Sequence, residues 1–288
     1  MDIKSLNSES LPRMLKEIPG PPEKLFVMGE LPDDNIPLIA IVGTRKATTY
    51  GLNIAVKLAE ELSRAGIVVV SGLAMGIDTA AHTGALKGGS PTLAVLGNGL
   101  PKIYPAQNEN LAKKIIDQGG AIISEYETDT PSYKDHFIQR NRIISGLSLA
   151  VVVIEAPARS GALATAGFAA RQGREVFVIP GPINHPNYAG SHSLIRDGAR
   201  LVTSTKDILL DLGLTEVPQN KTATEEKLLE GLAHDERAVF IGIRDSGVPL
   251  SVDKIAELIK LDPQKVNQIL ASLTIRGFIQ EAGGGYTI

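Results

Sequence analysis

At 288 residues the chain is long enough for about two domains of roughly 150 residues each. Lys plus Arg total 29 against 32 Asp plus Glu, a formal charge of −3, which excludes a uniformly basic protein and confines any nucleic-acid surface to a local patch. Cysteine is absent, which excludes disulfides, thiolate nucleophiles, iron–sulfur clusters and Cys-based zinc sites.

Residues 1–37 are punctuated by Pro12, Pro19, Pro21, Pro22, Pro32 and Pro37 and show little periodicity, which reads as a lead-in that packs on the main domain. The first residues carry no apolar signal stretch, and the longest strand-like run, 149–154, is far short of the ~20 residues that span a bilayer. A cytoplasmic protein without a membrane partner is the expectation. From Leu38 onward short apolar runs recur at 38–42, 67–70, 92–96, 121–123, 149–154 and 175–179, with a weaker one at 201–202. Segments of helical length and period lie between most of them, as in Leu52, Val56, Leu58 and Leu62. Unbroken β-branched runs suit strands covered on both faces, and their alternation with helices gives parallel βαβ units. The pattern predicts a Rossmann-like, doubly wound, mostly parallel α/β domain over residues 38–213. A polar stretch at 214–222 with Pro218 reads as a linker. Within 223–288, helices over 251–260 and 263–276 and a hairpin turning at Gly283-Gly284 follow the order of a small winged helix.

Ligands of such sheets bind at the carboxyl ends of the strands, and the unusual residues of this sequence follow the predicted strands there. The first such loop is Gly43-Thr44-Arg45-Lys46, leading into a helix. It suits an anion held by backbone N–H groups and a helix N-terminus, or else it is a tight turn with solvated Arg45 and Lys46. It matches neither the dinucleotide fingerprint nor a P-loop. The second constellation holds Lys134, Phe137, Arg140, Asn141 and Arg142, whose cations and aromatic ring are what single-strand binding requires. Its other reading is a half-buried helix in which the arginines pair with acids and Phe137 is core. Asp78 and His82 have the spacing of two metal ligands on a helix but lack a third, so Asp78 is read as a helix cap and no metal or cofactor is expected. Ser71, Asp78 and His82 crowd into one loop and helix turn, a poor layout for a triad. Glu125 and Glu127 flank Tyr126 at a strand end and are read as solvated. No catalytic set emerges.

An ordered set of motifs runs through Gly43-Thr44-Arg45, Ser71-Gly72-Leu73-Ala74 through His82, Gly97-x-Gly99-Leu100 with Tyr104-Pro105, and Ser124-Glu125-Tyr126. It continues with Phe137 and Arg140-Asn141-Arg142-Ile143-Ile144, Arg159-Ser160-Gly161, Val178-Ile179-Pro180-Gly181 and Asp197-Gly198-Ala199. By these motifs, over roughly residues 20–210, the sequence closely resembles the DNA-processing protein A family (DprA, also called Smf). The resemblance implies a non-catalytic single-stranded DNA-binding protein of natural transformation that protects incoming strands and helps load the RecA recombinase. It assigns a phosphate to Arg45, backbone and base contacts to Lys134 and Phe137, positive field to Arg140 and Arg142, and backbone donors to Ser160 and Gly161. It also implies a homodimer in which Ile195 and Leu201 are interface residues. The N-terminal helical domain of longer members is absent here or reduced to the first ~37 residues. The fold also resembles that of lysine-decarboxylase-like phosphoribohydrolases, but Phe168 stands where their catalytic Glu belongs, which tells against base release. A third reading, a duplex-DNA regulator acting through the winged helix, meets a meagre basic face of Lys265 and Arg276, so the tail is read as an interaction module.

Overall fold

The computed structural model describes residues 2–214, 232–246, 249–276, 278–282 and 285–287. The chain forms two units, Met1–Gln219 and Asn220–Ile288. Apart from Leu214, the expected linker lies outside the described residues, as does the Gly283-Gly284 turn.

The first unit is built on nine strands: β1 (Ile3–Asn7), β2 (Lys24–Gly29), β3 (Leu38–Val42), β4 (Val68–Ser71), β5 (Thr92–Leu96), β6 (Ala121–Ser124), β7 (Ala150–Val153), β8 (Glu175–Val178) and β9 (Arg200–Leu201). Their order across the sheet is β1-β2-β6-β5-β4-β3-β7-β8-β9. All pairings from β6 to β9 are parallel, whereas β1–β2 and β2–β6 are antiparallel. The doubly wound, mostly parallel sheet is therefore present. The lead-in, however, is more than a packing segment, because β1 and β2 extend the sheet at one edge. Its prolines bracket β2 without interrupting it, and the run Leu25-Phe26-Val27-Met28 is buried on both faces like the inner parallel strands. The short helix α1 (Arg13–Lys16) sets Leu15 into the core beside Gly146.

Period-two alternation divides the strands' side chains between two helical layers. Ala40, Val42, Val151 and Val153 face α5 (Lys134–Gly146) and α6 (Gly161–Arg171), where Ile143, Ile144 and Ala166 meet them. Ile39, Ile41, Val69 and Val152 face α2 (Thr49–Arg64) and α3 (Ile77–Gly88), where Leu58, Leu62 and Ala81 meet them. Helix α4 (Glu109–Asp117) covers β5 and β6 on that second face through Ala112 and Ile115. Helices α7 (Ala189–Arg196) and α8 (Thr205–Asp211) complete the first unit, α8 opening with a capping box between Ser204 and Asp207.

Strand order reverses at β3, because the connection through α2 leads to β4 on one side while β7, reached from β6 through α5, lies on the other. The loops after β3 and β7 therefore part at a topological switch point, the place where doubly wound folds bind ligands.

The second unit contains α9 (His234–Ser246), α10 (Val252–Ile259), α11 (Pro263–Ile275) and the antiparallel pair β10 (Gln280–Ala282) and β11 (Gly285–Thr287). The sequence reading placed α10, α11 and the hairpin but not α9. Val239, Phe240 and Ile243 of α9 form one core with Ile255, Val266, Leu270 and Leu273.

His82 on α3 is fully buried, and its Nδ1–H donates to the Thr92 hydroxyl, 2.8 Å away, which in turn donates to the Val69 carbonyl. Burial, aided by the charge of Arg140, lowers its pKa to about 3. The unfolded chain takes up this proton below about pH 6.5 and the folded chain does not, so the stability held by neutral His82 is complete above that pH and is lost as pH falls toward 3. Between pH 6 and 5 the folded state should lose about 1 kcal/mol through this group, from the ordinary 1.36 kcal/mol per pKa unit. Denaturant unfolding of His82→Asn should show a correspondingly flatter pH dependence; an unchanged slope would refute the assignment.

Candidate nucleic-acid interface

The loop after β3 is anchored by the carboxylate of Glu155, which follows β7 and is fully buried. Its Oε2 accepts the Thr48 N–H at 3.0 Å and Asn187 Nδ2 at 2.9 Å, while its Oε1 accepts Tyr188 OH at 2.8 Å and the Thr48 hydroxyl. Burial alone would raise the Glu155 pKa, but these donors outweigh it and hold the group below the usual glutamate range. Thr48 is also the N-cap of α2, accepting from Gly51 N at 3.0 Å, so one buried carboxylate fixes where the loop ends and the helix begins. At the loop's start the Thr44 N–H donates to the Glu155 carbonyl at 2.8 Å, and Gly43 lies so close to α3 that a Cβ would sit 2.5 Å from Ile77 Cγ1. Arg45 and Lys46, pinned between these points, are exposed.

A second anchor lies after β4. The Asp78 carboxylate accepts the N–H groups of Gly72 and Ala74 at 3.1 and 3.3 Å, while Arg140 Nη1 donates to the Gly72 carbonyl at 2.7 Å and to that of Val95. Both groups press against Gly72, where a Cβ would lie 2.6 Å from Arg140 Nη2 and 2.7 Å from Asp78 Oδ2. Burial pushes the Asp78 pKa up against the pull of Arg140, and burial lowers Arg140 to about 10, which leaves the guanidinium charged at neutral pH. Asp78 is thus not the helix cap expected of it: Gly76 holds the N-cap position, and Asp78 reaches back to the loop.

Between these anchors opens a cleft of about 680 Å³ at the switch point. It gathers Gly43, Thr44, Arg45, Lys46, Lys134, Phe137, Arg140, Asn141, Ser160 and Gly161, so all the predicted nucleic-acid contacts except Arg142 share one site. Their roles in its architecture differ. Arg45, Lys46 and Lys134 are exposed, and the Arg45 guanidinium lies 5.4 Å over the Phe137 ring. Arg140, by contrast, is 4% exposed and holds the cleft floor through the backbone carbonyls just named. Asn141 is buried and donates to the Gly161 carbonyl at 3.2 Å, tying α5 to the start of α6. Ser160 is the N-cap of α6, with its Oγ buried and without a protein partner, and Gly161 is exposed beside it. Arg142 points elsewhere: it pairs with Glu125, both side chains largely buried, so it supplies no open charge to the cleft. Glu125 is accordingly not the solvated strand-end acid expected, because the β6 end and α5 face each other across that pair.

Two residues outside the predicted set belong here. Arg159, on the loop after β7, is an exposed cation on the cleft wall, and Tyr104, on the loop after β5, places its ring 5.4 Å from that of Phe137. The remaining catalytic candidates are occupied structurally: Ser71 Oγ donates to the Ile41 carbonyl at 2.7 Å, and Glu127 pairs with Lys24 at 3.2 Å. Among the described residues no group of three or more His, Cys, Asp or Glu could hold a metal. None of the described helices is long and apolar enough to cross a membrane. At the far edge of the sheet Leu201 of β9 is 51% exposed, whereas Ile195 of α7 is half-buried against the core.

The family model of DNA recombination-mediator protein A matches residues 3–213. The chain belongs to that family. It is 39% identical to protein Smf of Escherichia coli over 97% of this chain and 75% of the relative, and 42% identical to DNA processing protein DprA of Streptococcus pneumoniae over 72% and 73%. Among solved structures it is similar to DprA of Streptococcus pneumoniae (TM-score 0.67, 41% identity, 73% of this chain and 74% of that one). It is similar also to DNA processing protein A of Helicobacter pylori, described with a single-stranded DNA binding mode (TM-score 0.66, 31% identity, 74% and 96%). The family is described as one of recombination mediators, in keeping with a cleft built from cations and rings.

Because Glu155 answers donors from three residues on two segments, Glu155→Gln should lower stability by about 2 kcal/mol in denaturant unfolding, the usual worth of hydrogen bonds to a buried charge. An unchanged midpoint would show that the loop is held otherwise.

Proposed function

We propose that this DprA/Smf protein binds single-stranded DNA in the switch-point cleft, protects incoming strands during transformation and passes them to RecA. The observation that carries the reading is the convergence of Arg45, Lys46, Lys134 and Arg159 around the half-buried ring of Phe137. The only carboxylate on the cleft wall among the described residues is Asp78, which is buried. Phosphates are met by exposed cations and by the start of α6, and a base by an aromatic face. Family membership and the single-strand binding described for the Helicobacter pylori relative support it, and the family's description as a recombination mediator supports the handover to RecA.

A homodimer through the β9 edge is part of the same proposal, supported by exposed Leu201 on a two-residue edge strand. Leu201→Asp should shift the protein to monomer in sedimentation while leaving its melting temperature nearly unchanged, and retention of a dimer would place the interface elsewhere. The second unit we read as an interaction module rather than a duplex reader. The exposed face of α11 carries Gln264, Asn267 and Gln268, and its cation Lys265 is paired with Asp235.

Titration with oligo-dT tests the central reading. Arg45→Ala, Lys134→Ala and Arg159→Ala should each weaken binding and reduce the slope of log K against log salt by about 0.7 for every lost phosphate contact. Phe137→Ala should cost ~1–3 kcal/mol. Arg142→Ala should act on stability instead, by about 3 kcal/mol, because it strands Glu125 without its cation. Wild-type affinity across salt in the first four variants, with the fold intact, would refute the reading.

A further inference from the structure

The exposed large apolar side chains of the first unit are unevenly placed. Tyr50, Met75, Tyr104, Tyr133, Ile138 and Ile183 are all more than two-fifths exposed and sit on loops or in the first two turns of helices at the rim that bears the cleft, whereas Leu201 of β9 and Leu210 of α8 are exposed elsewhere. Concentrated exposure of this kind marks a contact surface rather than a failure to bury.

Tyr104 and Ile138 are the members that line the cleft, and of the two Tyr104 is the aromatic one. Its loop is braced. The Asn98 side chain donates to the Lys102 carbonyl at 2.7 Å, and buried Asn108, just past Tyr104-Pro105, donates to the Leu73 carbonyl at 2.8 Å. A loop held this firmly has fixed its aromatic ring in place, yet the side chain remains 43% exposed. The ring lies 5.4 Å from that of Phe137 and is tilted 36° to it. Against the pair lies a second depression of about 60 Å³, lined also by Met75 and Pro105 and not by Lys134. It is too small to swallow a base. Phe137 and Arg45 border both the depression and the main cleft, so the ring pair spans the boundary between them.

We propose that Tyr104 is a second base-stacking residue, and that the Tyr104–Phe137 pair carries two successive bases of one single strand leaving the cleft toward Met75. The assignment rests on the single-strand reading of the cleft and extends it. Phosphates are held on the Lys134 and Arg45 side, where the cations are, and the bases turn toward the rings. Stacking is tolerant of sequence because every base offers a π face, so the platform adds affinity and footprint without sequence preference.

The absence of tryptophan from the chain supplies a clean probe. Tyr104→Trp introduces a lone indole at an exposed position; it should bind oligo-dT at least as tightly as the wild type, with its emission quenched at saturation. Tyr104→Ala should bind oligo-dT about 5- to 100-fold more weakly, Tyr104→Phe should restore binding to within about twofold, and an abasic oligonucleotide should bind all forms alike. Unquenched emission at saturating oligo-dT, or wild-type affinity in Tyr104→Ala while Lys134→Ala is weakened, would overturn the assignment and leave the cleft reading standing. Equal loss of abasic binding in Tyr104→Ala would also overturn it, since the residue would then be shaping the cleft rather than stacking. Should the wild type fail to bind oligo-dT, the cleft reading falls and the assignment with it.

Discussion

The site depends on one buried negative charge. Glu155 sits where the sheet changes direction and ties together two pieces of chain: the end of the loop after β3, where Thr48 caps α2, and the turn carrying Asn187 and Tyr188. A buried carboxylate is stable only if its lone pairs are answered, and the donors that answer it come from these segments. The same constraint gives the cleft its charge. With its acid consumed internally, the loop presents only Arg45 and Lys46 to solvent. The Asp78–Gly72–Arg140 arrangement repeats the device one strand over: charges are used below the rim so that the rim itself is left with unopposed cations.

This is how a chain of net charge −3 can hold a polyanion. The overall charge sets a weak background field, but affinity for phosphate depends on cations within a Debye length and on the absence of carboxylates among them. Elsewhere the acids face lysines and arginines across exposed pairs such as Lys4–Glu30 and Lys24–Glu127, which contribute little to stability.

Much of this was legible in the sequence, and the limit has a physical cause. Buried parallel strands advertise themselves as β-branched runs, and the loops at their carboxyl ends follow by counting, so the position of Arg45 and Ser160 on one rim could be read directly. β1 and β2 could not, because an antiparallel edge pair framed by prolines has no βαβ period to announce it. Helix α9 was not read, although Val239, Phe240 and Ile243 stand at helical spacing. The arginines of α5 show the limit most sharply. Arg140, Asn141 and Arg142 are consecutive and chemically suited to DNA, yet apart from the hydrogen bond of Arg140 Nε to Asn141 Oδ1 their side chains are held by Gly72 and Val95, Gly161, and Glu125, each at least 17 residues away. Whether a cation is open or consumed is decided by tertiary neighbours, and no local pattern encodes that. The alternative of arginines paired within a half-buried helix describes Arg142, and the proposed strand binding draws on Lys134 and Phe137, so under that proposal one short segment serves both purposes.

That double use explains the design of α5. A helix that only bound DNA could lie on the surface, and its cations would move with their flexible stems. Here the second and third turns are fastened to the sheet and to α6 through Arg140 and Asn141, while the first turn projects Lys134 and Phe137 over the cleft. The stacked Tyr126 and His136 rings, 4.0 Å apart, prop that first turn from behind. Ordering Phe137 before the ligand arrives lowers the entropy lost on binding, which is the usual source of affinity in a preorganised site. Arg45 over the Phe137 ring fits the same logic. A guanidinium resting on an aromatic face is already partly desolvated and aimed, so it can turn to a phosphate while a base takes its place on the ring.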